Sequence, residues 1–471
     1  MRLCDLARRA SDIRISGFAI DHRKVVEGNV FGAFRGASVN GEDFIAGAVE
    51  RGAIGVIARP EAEVRGAEHI AVDDPRAYFA EVAGRFYAPY PDHVVAVTGT
   101  NGKTSTVEMT RQLWRMMGHR SASIGTLGVT TADDQVKTGL TSPDIVTFLH
   151  NMAGLKRMGT THVAFEASSH GLDQHRVAGV PVEAAAFTNF SRDHLDYHGD
   201  MESYFDAKMR LFDELVDPRG TAVVWTDDPK SDEVIARVKA RGVKLMTVGS
   251  RGETIRIEER RATPLGQAIN VTHDGEKRLL KLPLIGEYQA ANVMVSAGLA
   301  LACGAGWGAL FEAMGRLSPV RGRLERAVIS ARGAPVYVDY AHTPDALEAA
   351  IAALRPHVEG RLITLFGAGG DRDTGKRAPM GEVAVEHSDI VIVTDDNPRS
   401  EDPAAIRKAV LKGAKGAIEV ADRRAAIARA IDLAGAGDIV LLAGKGHEQG
   451  QIVGEHVLPF DDVEVARECA A

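Results

Sequence analysis

The residues best placed to do chemistry form one short run, Thr98-Gly99-Thr100-Asn101-Gly102-Lys103-Thr104-Ser105. Gly99 and Gly102 let the backbone curl so that its N–H groups converge with a helix N-terminus, and such a point attracts phosphate. Lys103 can bring positive charge to terminal phosphates, and the Thr104 hydroxyl can ligate Mg2+. The run departs from the general G-x-x-x-x-G-K-[ST] template: Val97 stands where the first glycine belongs, and the glycine falls two residues later. The alternative is a Gly-rich turn with an incidental lysine. It requires the strand before, the helix after and the Lys-Thr pair all to be coincidences, so the run is read as an ATP site.

Further candidates follow along the chain. Thr161 to Glu166 reads as a strand with a carboxylate at its C-terminal end, the edge where ligands bind in parallel α/β sheets. Glu166 is a candidate Mg2+ ligand, against the alternative of a surface turn. The polar segment Ser168 to Arg176 follows, and a solvated loop would look similar. After the apolar run Ala184 to Phe187, the segment Ser191 to His198 holds Asp193, His194, Asp196 and His198. These could bind metal, but the spacing does not choose which. Lys208 lies four residues after Tyr204 and four before Phe212, within an apolar helical stripe. It is either a stem that carries its charge out to water or an amine of depressed pKa, nucleophilic enough to react with CO2. A carbamate would turn that cation into an anion able to bind metal.

The elements that must position these groups are legible as periodicity. His93 to Val97 is a β-branched apolar run, short enough for a buried parallel strand. From Thr104 the period changes, with Val107, Leu113, Trp114 and Met117 on one helical face and Gly118 where a C-cap belongs. Earlier in the chain, Val30 to Gly36 and Ile54 to Ala58 read as strands, with a helix-like stretch from Asp43 between them. Leu282 to Asn292 opens an Ala-rich helix. Later, Pro335 to Asp339, Arg361 to Phe366, Asp389 to Thr394 and Asp438 to Leu442 read as strands, each followed by a polar or Gly-rich loop. Any one such loop is an ordinary turn; four of them imply one crevice at one sheet edge.

A length of 471 residues suits about three domains. The expected fold class is α/β: a small N-terminal domain over 1–92, a central P-loop-type ATPase with a parallel sheet over 93–320, and a Rossmann-like domain over 321–471. A net charge of −8 argues against a protein held on nucleic acid by a broad basic surface. Cys4, Cys303 and Cys469 have neither metal-ligand spacing nor a disulfide framework, which favours a reducing cytoplasm. Met1 to Ala10 has no apolar targeting core, and no stretch approaches the roughly 20 apolar residues of a membrane span.

The order T-G-T-N-G-K-T, E-A-S-S-H-G-L, T-N-F-S-R-D-H-L-D-Y-H, A-K-M-R-L-F, D-Y-A-H-T-P-D and D-N-P-R resembles the Mur ligase family, over nearly the whole chain. The resemblance implies an ATP-dependent amide ligase of peptidoglycan precursor synthesis, adding meso-diaminopimelate to UDP-N-acetylmuramoyl-L-Ala-D-Glu through an acyl phosphate. It implies a cytoplasmic monomer with small-molecule substrates, no nucleic acid and no membrane span. The rival readings within the superfamily are lysine-adding and folate-polyglutamating ligases. Outside it stand a small-molecule phosphotransferase and a non-enzymatic ATP-dependent switch.

Carried over by position, the resemblance puts Thr98 to Ser105 on the ATP phosphates and Thr104 and Glu166 on Mg2+. His194 and a carbamylated Lys208 would hold a second Mg2+. Asn292, Arg323 and Asp339 would contact the nucleotide, with Lys103, Glu166, His194, Lys208, Arg323 and Asp339 as the catalytic set. Ile20 and His22 would meet the uridine nucleotide; Thr141, Ser142, Ser168, Gln174 and Arg176 would meet the muramoyl-dipeptide. Arg372, Asp396, Asn397, Pro398, Arg399, Gly444 and Glu448 would hold diaminopimelate. Arg399 is the expected specificity residue, because it can pair two-pronged with the distal carboxylate that lysine lacks. Glu448 would meet the distal ammonium. The chain departs from the family pattern at His22, where serine is usual, at Leu140 before Thr141, and at Gln289.

Overall fold

The computed structural model describes residues 1–7, 11–36, 39–136, 141–263 and 266–470. Leu140 lies outside them. The fold is α/β, and its contacts divide into two units: Met1–Thr254 with Val295–Leu310, and Ile255–Met294 with Phe311–Ala471.

The first unit begins with a four-stranded parallel sheet in chain order, Gly17–Ala19, Asn29–Gly32, Gly55–Ala58 and Glu68–Ala71. The strand expected over Val30 to Gly36 stops at Gly32, and the helix expected from Asp43 begins as a 3-10 turn, Gly41–Phe44, before Ile45–Glu50. Asn40 accounts for that turn, since its side chain accepts from the Glu42 N–H and caps it. The helix Pro75–Tyr87 follows, capped by Asp74.

The same unit holds a second sheet with the order Lys244–Gly249, Val216–Trp225, Val182–Phe187, His93–Thr98, His162–Glu166, Ser121–Gly125. These six strands are parallel, and Gly128–Thr130 and Gln135–Val136 add antiparallel at the far edge. His93–Thr98 is flanked by His162–Glu166 on one side and Val182–Phe187 on the other. Strand order therefore reverses there, and a crevice opens at the carboxyl ends. Val94, Ala96, Val163, Phe165, Ala185 and Phe187 bury one continuous core with the helix Ile145–Arg157.

The second unit contains an antiparallel meander, Ile255–Thr263, Gly266–His273 and Glu276–Leu282. Its six-stranded sheet has the order Glu325–Ile329, Pro335–Asp339, Ile439–Ala443, Leu362–Phe366, Ile390–Val393, Ile418–Glu419. All pairs are parallel but the first. The chain passes from Pro335–Asp339 to Leu362–Phe366 and later inserts Ile439–Ala443 between them, which again leaves a crevice at the carboxyl edge. Near-continuous runs such as Leu362-Ile363-Thr364-Leu365-Phe366 are buried on both faces, as a covered parallel sheet requires.

Candidate active site

In the first unit the glycine loop joins the strand His93–Thr98 to the helix Lys103–Met116. Gly99 has φ +143, and a Cβ there would lie 1.9 Å from Thr188 Oγ1, so no other residue fits. The residues just after the adjacent strand Val182–Phe187 clasp the loop: Thr188 Oγ1 donates to Asn101 O at 2.6 Å, the Thr100 N–H to Asn189 O at 2.9 Å, and the Asn101 N–H to Asn189 Oδ1 at 2.8 Å. Gly102, at φ +83, precedes the helix with no side-chain cap, so the helix starts with its N–H groups directed toward the loop. Lys103 folds back, donating to Gly99 O at 2.9 Å and Thr100 O at 2.8 Å. That contact holds its charge beside the loop.

Glu166 stands at the carboxyl end of the neighbouring strand and is only 2% exposed, which rules out the surface-turn reading. Thr126 fixes it, donating from its N–H to Oε1 at 2.7 Å and from its hydroxyl to Oε2 at 3.2 Å. Thr126 Oγ1 also lies 3.0 Å from Thr141 Oγ1. The segment after Glu166 forms a short helix, Ser169–Asp173, with Ser168 capping the Gly171 N–H. Ser142 Oγ lies 2.9 Å from Ser168 Oγ, and Arg176 reaches Gln174 Oε1 at 2.6 Å and Ser142 O at 3.5 Å. Four of the five residues expected at the dipeptide thus share one hydrogen-bonded cluster, and Thr141 joins the Glu166 clasp.

His194 sits at φ +51, the left-handed region that bulky residues avoid, which places its ring 4.8 Å from His170 and 6.1 Å from Tyr204. Burial lowers the pKa of His170, His194 and His198, the last to about 4, so all three favour neutral, ligand-competent imidazoles. Lys208, in the helix Met201–Arg210, is 1% exposed. It does not carry its charge to water. Its Nζ donates to Gly99 O at 2.8 Å and lies 4.3 Å from the centre of the Tyr204 ring. Burial first, and the Lys103 charge second, hold its pKa well below the usual lysine value, while Asp193 pulls weakly the other way. In the small sheet Asp21 caps the turn His22–Lys24, and the His22 ring stacks on Phe44 at 4.7 Å. Ile20 is half-buried just before it.

In the second unit Asp339 ends its strand buried, with Oδ2 accepting from the Leu324 N–H at 2.7 Å and Oδ1 from the Ala341 N–H at 2.8 Å. Burial raises its pKa and Arg323 opposes that. The Arg323 guanidinium lies 4.6 Å from the Tyr340 ring centre, and Gln289 links Arg323 O to the Asn292 amide. Asn292, Arg323 and Asp339 are therefore one connected group.

The other three loops of this sheet also converge. A Cβ on Gly370 would lie 1.9 Å from Pro398 O, so the loop carrying Arg372 lies directly on Asp396-Asn397-Pro398-Arg399. Arg399 has φ +52; its N–H donates to Ile452 O at 3.0 Å and its guanidinium to Gly370 O at 2.8 Å. Asn397 Nδ2 donates to Glu448 Oε2 at 2.7 Å. The residue that sequence reasoning missed is Lys445. It is fully buried, and its Nζ lies 3.5 Å from Asp396 Oδ1, 3.1 Å from Asn397 Oδ1 and 3.2 Å from Glu448 Oε2. The flanking Gly444 and Gly446 marked that loop without singling out the lysine. Arg372 is exposed at the rim and reaches Asp371 O.

A glycine loop between a parallel strand and a helix, with a lysine and a buried carboxylate on the same sheet edge, defines a P-loop-type α/β protein. The comparisons narrow this. Residues 97–300 match the Mur ligase middle domain, and residues 322–446 match the Mur ligase, glutamate ligase domain. A protein of Zymomonas mobilis named UDP-N-acetylmuramoyl-L-alanyl-D-glutamate--2,6-diaminopimelate ligase is 58% identical over 467 residues, covering 98% of this chain and 96% of that protein. One of the same name from Bradyrhizobium diazoefficiens is 49% identical over 456 residues, covering 96% and 94%. A solved structure of a ligase so named is 32% identical with a TM-score of 0.75, covering 100% of this chain and 98% of that one. The chain belongs to the Mur ligase family.

Proposed function

We propose that the protein is an ATP-dependent ligase that joins meso-diaminopimelate to the D-glutamate side-chain carboxylate of UDP-N-acetylmuramoyl-L-Ala-D-Glu. The relatives named for that reaction, matched end to end, support the reading. The observation on this chain that carries it is the convergence of Asp396, Asn397, Arg399 and Glu448 in one polar cluster. Such a cluster offers both charge signs to a zwitterionic amino acid. The division of labour is 1–92 for the uridine nucleotide, 93–320 for ATP and 321–471 for the amino acid, in a cytoplasmic monomer.

A carboxylate is a poor acyl donor. The γ-phosphoryl group of ATP would pass to the D-glutamate carboxylate, releasing ADP. The amine would then attack the acyl carbon, with phosphate leaving and the amine proton passing to solvent. The obstacle is repulsion between two anions, so the protein's task is charge neutralisation and alignment. Loop N–H groups and Lys103 would hold the phosphates, with Asn292, Arg323 and Asp339 on the rest of the nucleotide. Thr104 and Glu166 offer the hard oxygen donors that Mg2+ prefers. His194 and a carbamate on Lys208 would complete a second Mg2+ site; a buried, neutral amine is the form that adds CO2, with loss of one proton. Bound Mg2+ would supply charge neutralisation at the transferring phosphoryl group. Ser142, Ser168, Gln174 and Arg176 would orient the dipeptide, and Arg399 the distal carboxylate of diaminopimelate.

The test is phosphate release with ATP, Mg2+ and the UDP-muramoyl-dipeptide, run with no amine, with lysine and with meso-diaminopimelate. Release with diaminopimelate alone, matched by a tripeptide product, is expected. Release with lysine would keep the ligase and remove the role of Arg399; release with neither would overturn the reading.

A further inference from the structure

The opposite edge of the central sheet carries a second cluster of chemically active side chains. His93 opens the strand whose far end, Thr98, leads into the glycine loop roughly 17 Å away at the rise of an extended strand. Glu183 lies near the start of the adjacent strand Val182–Phe187, and Cys303 directly follows the helix Glu287–Ala302. His93 Nδ1 is 2.7 Å from Glu183 Oε2. One donor atom from each of His93, Glu183 and Cys303 falls within 4.8 Å of the other two, all half-buried. We infer that these three residues form a binding site for a divalent transition metal of the zinc class.

The donor set decides the class. An imidazole, a carboxylate and a thiolate together favour zinc over magnesium or calcium, which take oxygen. Charge balances as well: thiolate and carboxylate neutralise a divalent ion, and the imidazole adds none. Zinc bonds of 2.0–2.3 Å set donor atoms roughly 3.3 to 3.7 Å apart. His93 and Glu183 would therefore separate by under about an ångström and Cys303 would close in, movements within reach of partly exposed side chains. On binding, the imidazole hydrogen would sit on Nε2, the thiol would give its proton to solvent, and water would take the fourth corner.

The surroundings support the site. His162 pairs in register with His93, and the two rings stack at 4.3 Å, with His119 a further 4.2 Å beyond. That stack steadies the His93 ring. Sequence spacing missed the cluster because its members lie 90 and 120 residues apart along the chain. The ion would tie the end of the Glu287–Ala302 helix to two sheet strands.

The experiment titrates Co2+ into the full chain with Mg2+ in excess, followed by near-ultraviolet absorbance. A thiolate-to-cobalt charge-transfer band saturating at one equivalent and bleached by equimolar Zn2+ is expected. It should vanish in Cys303→Ser and persist in Cys4→Ser and Cys469→Ser. A wild type without the band overturns the inference whatever the variants do, and so does a band that survives in Cys303→Ser.

Discussion

Each unit withdraws a lysine from water, and the surroundings of the two differ. Lys445 meets Asp396, Asn397 and Glu448. Lys208 meets one backbone carbonyl and a tyrosine face, and among the described residues no carboxylate forms an ion pair with it. Burial is the same, 0% and 1% exposed. Partners rather than depth decide what a buried amine becomes. Lys445 is an ion-paired post that ties its own loop, after Ile439–Ala443, to the loop after Ile390–Val393. Lys208 is pressed toward the neutral amine, the reactive form, beside the loop read as the phosphate site.

The largest expected effect falls on the paired lysine. Lys445→Met leaves Asp396 and Glu448 facing each other without their cation, and should destabilise the C-terminal unit by about 3–5 kcal/mol. Denaturant unfolding checks this; a change below about 1 kcal/mol would erase the contrast. The unpaired lysine should behave in reverse. Lys208→Ala should lose about 10- to 100-fold in turnover and keep its stability, and acetate should restore part of the rate by standing in for the carbamate. Full activity of Lys208→Ala in CO2-free buffer would show that the amine has no part in turnover.

Arg399→Lys should narrow the preference for diaminopimelate over lysine by about 10- to 100-fold in kcat/KM, as expected when a two-pronged partner is replaced by a point charge. Equal discrimination in the variant would move specificity to another residue of the cluster. The smallest effect is thermodynamic. Because the folded pKa of Lys208 is depressed, the unfolded chain binds more protons between that value and the ordinary one near 10.5. Its contribution to stability therefore rises with pH across that window. In CO2-free buffer, Lys208→Met should flatten this rise and stabilise the protein most below it; an unchanged slope would show that Lys208 stays charged when folded.

Much of this was legible in the sequence. The strand Pro335–Asp339 falls at the expected residues, and the glycine loop with its strand and helix follows directly from β-branched and 3.6-residue periodicity. The meander was not legible, because Ile255–Thr263 is mostly exposed and its Glu-Glu-Arg-Arg run hides the alternation. Glu166 could be named, but Thr126, which clasps it, lies 40 residues away and carries no local signal. Lys445 failed the same way, since its partners Asp396 and Asn397 belong to a loop about 50 residues earlier. For Lys208 the stripe gave the position while leaving open whether the amine reached water; the turn of the helix toward Gly99 settled that.

Lys208 stands beside the glycine loop poised as a neutral amine. The most direct measurement is the 13C spectrum of the protein equilibrated with 13C-bicarbonate. One carbamate resonance is predicted, absent in Lys208→Met and retained in a stably folded Lys445→Met. No carbamate resonance in the wild type, or one that survives loss of Lys208, would contradict it.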